Sequence, residues 1–213
     1  MSSKAFETLP KFITNYMAAE IPLVRRYAKG SVVDIGAGTG RAISMLDPNK
    51  VVRYHGIEPN QDYVNSLFDQ AYAFSQNGIK VSLSPHTLEE TIIPEGVAPF
   101  NSCLVLWNTL SMWDDPSTDL TNPLSVKTKS VLLTVIAKGN LNERLNYYTE
   151  QNIPITSIDC KTENIVSDQW ETNRAYSVED VEEILGDNWN ITETGPVTHY
   201  CHFIIAESKK KFD

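Results

Sequence analysis

Three glycines at alternate positions, Gly36, Gly38 and Gly40, end the segment Asp34-Ile35-Gly36-Ala37-Gly38-Thr39-Gly40. It follows the apolar run SVVDI and precedes the helical stretch RAISML. Glycines packed this closely after a strand permit backbone dihedrals closed to other residues and let a ligand approach the main chain. The segment therefore predicts a strand, a turn and a helix at the start of an α/β sheet. A nicotinamide-dinucleotide loop follows the spacing G-x-G-x-x-G. That spacing needs a glycine at position 41, where this chain has Arg41. The pattern is acidic-x-G-x-G-x-G instead, and its alternative reading is a tight turn with no ligand.

The following segments keep the alternation. VVRYHGIE reads as a second strand. NQDYVNSLFDQAYAFSQNG reads as a helix with Tyr63, Val64, Leu67, Phe68 and Ala71 on one face, capped by Asn60 and stopped at Gly78. IKVSLS, FNSCLVLWN and KSVLLTVIAK supply three more strands, with TLEETII and NLNERLNYYTEQ as helices. Near-continuous apolar runs in the fourth and fifth strands suit a parallel sheet buried on both faces. Strand and helix alternate from Gly30 to Gln151, which predicts right-handed crossovers.

The flanks read differently. Leu9, Phe12, Ile13, Tyr16 and Met17 have helical spacing, and IPLVRRYAKG predicts a second short helix after a break at Pro22. Residues 152–175 show little periodicity, with ENIVSD as the strand candidate. Ser177 and Asp180 form a capping-box start for SVEDVEEILGD. WNITETG and HYCHFIIAES predict two antiparallel strands joined by a turn at Gly195-Pro196. We expect a single domain, 1–213, made of N-terminal helices (1–29), a glycine-loop half (30–151) and a C-terminal part (152–213) with an acidic insertion, a helix and the closing strands.

Lys and Arg number 18 against 27 Asp and Glu, a net charge of −9. Taken alone, this argues against a protein that coats nucleic acid or an anionic membrane. The acidity is local, however: residues 159–193 hold ten acidic and two basic side chains. RNA is therefore not excluded from the remainder, and the acidic segment marks a place where a basic protein partner would dock. Cys103, Cys160 and Cys201 lack the spacing of a zinc or redox motif and fit a reduced, cytoplasmic setting. No apolar run approaches the roughly 20 residues that span a bilayer, and the N-terminus has no signal-peptide core, so no membrane partner is expected. Asp114-Asp115 reads as a turn before Pro116 rather than a magnesium site. His199, Cys201 and His202 alternate faces along one strand, and no metal is assigned.

The glycine segment, together with Glu58 placed 18 residues after Gly40 at the end of the second strand, resembles the first motifs of the class I S-adenosylmethionine (SAM) methyltransferases. The resemblance covers about Gly30 to Ile136. It implies a Rossmann-like α/β fold with a mostly parallel seven-stranded sheet, helices on both faces and an antiparallel final strand. It also implies SAM as cofactor, held by the 30–151 half across the ends of strands one and two. Carried over residue by residue, Asp34 binds the methionine end, and Gly36, Ala37, Gly38 and Gly40 lie beside it. Glu58 takes both ribose hydroxyls, as a carboxylate can. His86 and Thr87, after the third strand, stand where the family places adenine contacts. Trp107 and Asn108, ending the fourth strand, face the donor methyl and the acceptor as the catalytic pair, and Trp113 walls the substrate pocket.

A narrower resemblance concerns the acceptor. LPKFITNYMAAEIPL, with Phe12, Asn15 and Tyr16, is similar to the lead-in of the messenger-RNA cap guanine methyltransferases of large cytoplasmic DNA viruses. HYCHFIIAESKKK is similar to their last strand and places Tyr200 near the cap pocket. The lysine those enzymes carry after the Asn is missing, since Met17 and Ala18 stand there. This reading puts capped RNA first as acceptor and a small molecule second. The third reading is a non-catalytic, methyltransferase-like stimulatory subunit. Tyr147, Tyr148 and the stretch from Thr156 to Arg174, with Trp170, are candidates for an acceptor lid, against helix packing and a surface loop.

Overall fold

A computed structural model describes residues 11–88, 99–107, 109–113, 115–117, 128–168 and 172–212. Its strands are β1 (Gly30–Ile35), β2 (Val51–Ile57), β3 (Lys80–Ser84), β4 (Ser102–Val105), β5 (Ser130–Ile136), β6 (Ile155–Asp159), β7 (Asn164–Ser167), β8 (Trp189–Thr198) and β9 (Cys201–Ser208). Seven of them form one sheet in the order β3-β2-β1-β4-β5-β9-β8, and β6 and β7 form a separate antiparallel pair. Strands β1 to β5 are mutually parallel, and β9 runs antiparallel between β5 and β8.

Both faces of the sheet are apolar, and neighbouring residues of a strand serve opposite cores. Val33, Ile35, Val105 and Leu133 pack with Val181 and Leu185 of α4 (Val178–Leu185) on one face. Val32, Leu104 and Leu132 pack on the other, with Val24 of α1 (Lys11–Tyr27) and Leu67 and Ala71 of α2 (Gln61–Ser75). Tyr148 of α3 (Leu141–Glu150) forms a smaller cluster with Ile153 and Ile165. The winding reverses between β1 and β4, and α/β sheets bind ligands in the crevice at the carboxyl ends of the strands at such a reversal.

Several expectations meet local exceptions. The N-terminal segment is one helix, with Pro22 inside it. A proline removes one backbone hydrogen bond, but Ile13, Tyr16, Glu20 and Val24 are buried on both sides of it and keep the helix in line. RAISM forms a short 3₁₀ helix rather than an α-helix, started by Gly40 at φ 90° and ended before Asp47-Pro48. Gly195 and Pro196 lie within β8, and the turn falls at His199-Tyr200. Gly195 is required there because a Cβ would meet the Phe203 ring at 2.8 Å. Pro196 is tolerated because β8 is the edge strand. The ENIVSD strand pairs with Ile155–Asp159, inside the stretch of little periodicity. Asn60 caps α2 and the Ser177–Asp180 capping box opens α4. The TLEETII helix falls on residues that, apart from Thr87 and Leu88, lie outside the described ones.

Candidate functional site

The glycine loop leaves the end of β1 and is tied at once to β2. The N–H groups of Gly36 and Ala37 donate to the Ile57 carbonyl at 2.9 and 3.0 Å. Gly36, Gly38 and Gly40 take φ values of 67°, 56° and 90°, all in the left-handed region. A Cβ on Gly36 would lie 2.6 Å from the Thr109 side chain, so the loop after β1 and the segment after β4 touch across the crevice. Among the described residues, a Cβ on Gly38 would meet only the Gly36 carbonyl oxygen, at 4.0 Å. Next to Gly38 the described residues therefore leave room that a bound molecule can fill.

Glu58 closes this cradle. Its two oxygens accept from the N–H of Gly38 at 2.7 Å and of Asn60 at 2.8 Å, and the residue is 6% exposed. Each oxygen keeps a second lone pair, so the carboxylate is oriented yet can still accept from hydroxyls of a ligand. Its own N–H donates to the Ser84 carbonyl at 3.0 Å, which draws in the end of β3. His86 and Thr87 follow on this edge and are exposed.

Asp34 points to the face covered by α1 and α2. It is buried and accepts a hydrogen bond from the Tyr54 hydroxyl at 2.7 Å. Burial raises its pKa from 3.8 to about 7; the Tyr54 hydrogen bond and Arg41 pull it down, while Glu20 and Glu58 push it up. Burial raises Tyr54 as well, with Asp34 next to it, so the phenol stays protonated as the donor.

A second group lies beside these residues, and three of its five members, Glu20, Arg41 and Thr134, are absent from the sequence-based site. Glu20 of α1 is completely buried, and Arg41, the residue after Gly40, forms an ion pair with its Oε2. The hydroxyls of Tyr16 and Thr134 both donate to Glu20 Oε1, Thr134 at 2.6 Å. The N–H of Trp107 donates to Thr134 at 2.7 Å and Tyr16 at 3.1 Å. Trp107 has φ 62°, an uncommon conformation for a residue with a side chain, and its ring lies 4.6 Å from that of Tyr16. One network thus joins α1, the glycine loop, β5 and the segment leaving β4. The sequence held one signal for it: Glu20 is a carboxylate within the buried stripe of α1 formed by Ile13, Tyr16 and Val24.

The other predicted residues scatter. Tyr200 sits in the β8–β9 turn against Phe12 at 4.5 Å and His199 at 4.0 Å, and Phe12 meets the Tyr147 ring at 5.9 Å. Tyr148 is buried and accepts from Asn173, a packing role. Trp113 packs on the core of the opposite face. Asn108, Asp114 and Trp170 lie outside the described residues. In the acidic stretch, Asp180 pairs with Lys138 at 2.7 Å and Glu193 with Arg26 at 2.7 Å. Among the described residues no three metal-binding side chains cluster, and no helix is long and apolar enough to cross a membrane.

Strand order, the single antiparallel strand and the position of the glycine loop define the Rossmann-like fold of the class I SAM-dependent methyltransferases. Similar solved structures include a SAM-dependent methyltransferase from Clostridium acetobutylicum, 14% identical with a TM-score of 0.62, covering 96% of this chain and 94% of that one. Magnesium protoporphyrin IX methyltransferase from Synechocystis, with bound S-adenosylhomocysteine, is 13% identical with a TM-score of 0.65 and coverages of 97% and 95%. The CcbJ methyltransferase from Streptomyces caelestis is 12% identical, with a TM-score of 0.65 and coverages of 97% and 95%. By sequence, no family model and no curated protein matches the chain.

Proposed function

We propose that the chain is a SAM-dependent methyltransferase acting on a small-molecule acceptor. The observation that carries this reading is the Glu58 carboxylate, fixed by the N–H groups of Gly38 and Asn60 beside a loop that leaves room at Gly38. The donor set fits the cofactor's parts: a carboxylate that can accept two ribose hydroxyls, and a buried acid, Asp34, next to the loop for the methionine end. SAM supplies an electrophilic methyl on a sulfonium. Transfer from it needs alignment and exclusion of water more than a strong base. Trp107, braced against Tyr16, and Gly36, touching Thr109, shape the two sides of the crevice for that alignment.

A neighbour in fold whose substrate is named acts on magnesium protoporphyrin IX, which favours a small acceptor. Messenger-RNA cap guanine has less support, because Tyr16 is buried under Glu20 and Asn15 is exposed on α1, away from the crevice network. The test is calorimetry with SAM and S-adenosylhomocysteine, then transfer of labelled methyl to a metabolite panel and to capped RNA. Glu58→Ala is expected to abolish measurable cofactor binding while thermal unfolding stays cooperative. Unchanged affinity would remove the ribose assignment. Absence of binding to the unmodified protein would remove the methyltransferase reading.

A further inference from the structure

We propose that Arg41 binds the carboxylate of the cofactor's methionine end and that Glu20, buried behind it, is its positioning residue. This rests on the SAM reading above and concerns the part of the cofactor that the glycine pattern leaves unassigned. SAM carries two positive groups, sulfonium and ammonium, and one negative carboxylate. At the ends of β1 and β2 the protein offers Asp34 and Glu58, with Glu20 behind them. Those acids suit the positive groups and repel the carboxylate. Among the described residues, Arg41 is the cation that acts on Asp34 and pulls its pKa down.

The geometry leaves Arg41 available. One guanidinium nitrogen, Nη1, is taken by Glu20, and among the described residues its other nitrogens have no hydrogen-bond partner. The side chain keeps 20% of its exposure, whereas Glu20 keeps none. Burial draws the Arg41 pKa down, Glu20 draws it up further, and the guanidinium stays charged. A planar fork held on one side by a buried carboxylate presents its free N–H groups to a second carboxylate with little further ordering. Glu20 in turn is locked by Tyr16 and Thr134. The competing role is purely structural, an ion pair that closes α1 on the loop. Such a role would affect every ligand of the loop alike.

The experiment exploits that difference. Calorimetry compares S-adenosylhomocysteine with 5′-methylthioadenosine, which keeps adenosine and sulfur but lacks the amino-acid half. Arg41→Gln is expected to weaken S-adenosylhomocysteine about tenfold or more, as for loss of a charge-assisted hydrogen bond, and to leave methylthioadenosine within about twofold. Arg41→Lys should restore part of the loss, and Glu20→Gln should show the same selective loss at smaller size. The unmodified protein should also prefer S-adenosylhomocysteine to its decarboxylated analogue, a comparison that needs no folded variant. Equal losses for both ligands, or no preference for the carboxylate, would overturn the proposal while leaving SAM binding intact. An unmodified protein that binds neither ligand would overturn the methyltransferase reading together with it.

Discussion

The buried Asp34 makes cofactor affinity depend on pH in a way that can be worked out beforehand. Its pKa near 7 comes first from burial, against a hydrogen bond from Tyr54 at 2.7 Å. If the ionised carboxylate is what receives the ammonium of the methionine end, the binding-competent fraction is the ionised one. That fraction is about one tenth at pH 6 and about nine tenths at pH 8, and apparent affinity scales with it. S-adenosylhomocysteine should therefore bind about tenfold more tightly at pH 8 than at pH 6. Near pH 6 binding should release close to one proton, visible as an enthalpy that changes with the ionisation heat of the buffer. Asp34→Asn fixes the neutral form, so its affinity should be weak and flat across this range. 5′-Methylthioadenosine, without the ammonium, should not gain affinity with pH in the unmodified protein. A flat profile for S-adenosylhomocysteine, or equal slopes for the two ligands, would refute the assignment of Asp34 to the methionine end.

Four further outcomes follow from the same geometry. Burial lowers His55 to about 4, so its stabilising contribution is present above its ordinary value of 6.5 and is lost as pH falls toward 4. Asp34, raised from 3.8 to about 7, acts oppositely, its contribution being lost as pH rises toward 7. Asp34→Asn should therefore unmask acid destabilisation between pH 6.5 and 4, up to about 3 kcal/mol by urea titration; a flat profile would contradict the His55 shift. Glu20→Ala leaves the Arg41 guanidinium without its buried counter-ion and should cost about 3–5 kcal/mol in the same measurement, whereas a loss below about 1 kcal/mol would mean the pair is solvated. Gly36→Ala would drive a Cβ to 2.6 Å from Thr109 and should lower the melting temperature sharply. Gly38→Ala, with no atom of the described residues nearer than 4.0 Å, should cost only its left-handed strain of about 1–2 kcal/mol but lose cofactor binding.

The sheet was readable from sequence because its strands are apolar on both faces and are punctuated by glycine and by helix caps, signals that act locally. Asn60 and Ser177 illustrate this, since each cap forms with its own next residues. The misread elements depend on distant residues. Nothing near Gly195 says that Phe203 will lie across it, and nothing near Pro22 says that Glu20 and Val24 will both be buried. The site divides along the same line. Asp34, the glycines and Glu58 follow from a motif confined to one strand–loop–strand unit. Glu20, Tyr16 and Thr134 meet only after the chain has folded, across 114 and 118 positions of sequence. Arg41, read from sequence only as a missing glycine, is an ion-pair partner in the structure.

That long-range network also explains why α1 belongs to the site and is more than a cover for the sheet. Phe12, Tyr16 and Glu20 are spaced four residues apart, so they share one face of the helix. In the structure Phe12 reaches Tyr200, Tyr16 reaches Trp107, and Glu20 reaches Arg41. Three segments from separate parts of the chain are therefore set at one helical pitch: the β8–β9 turn, the exit of β4 and the glycine loop. Shifting α1 by one turn would move Val24 to Arg41 and strand the Glu20 carboxylate beside Trp107 without its cation. The cost of an unpaired buried charge is several kcal/mol, far above that of re-seating an aromatic ring. The ion pair thereby fixes the register of the helix, and the register sets how far the aromatic edge lies from the cofactor loop.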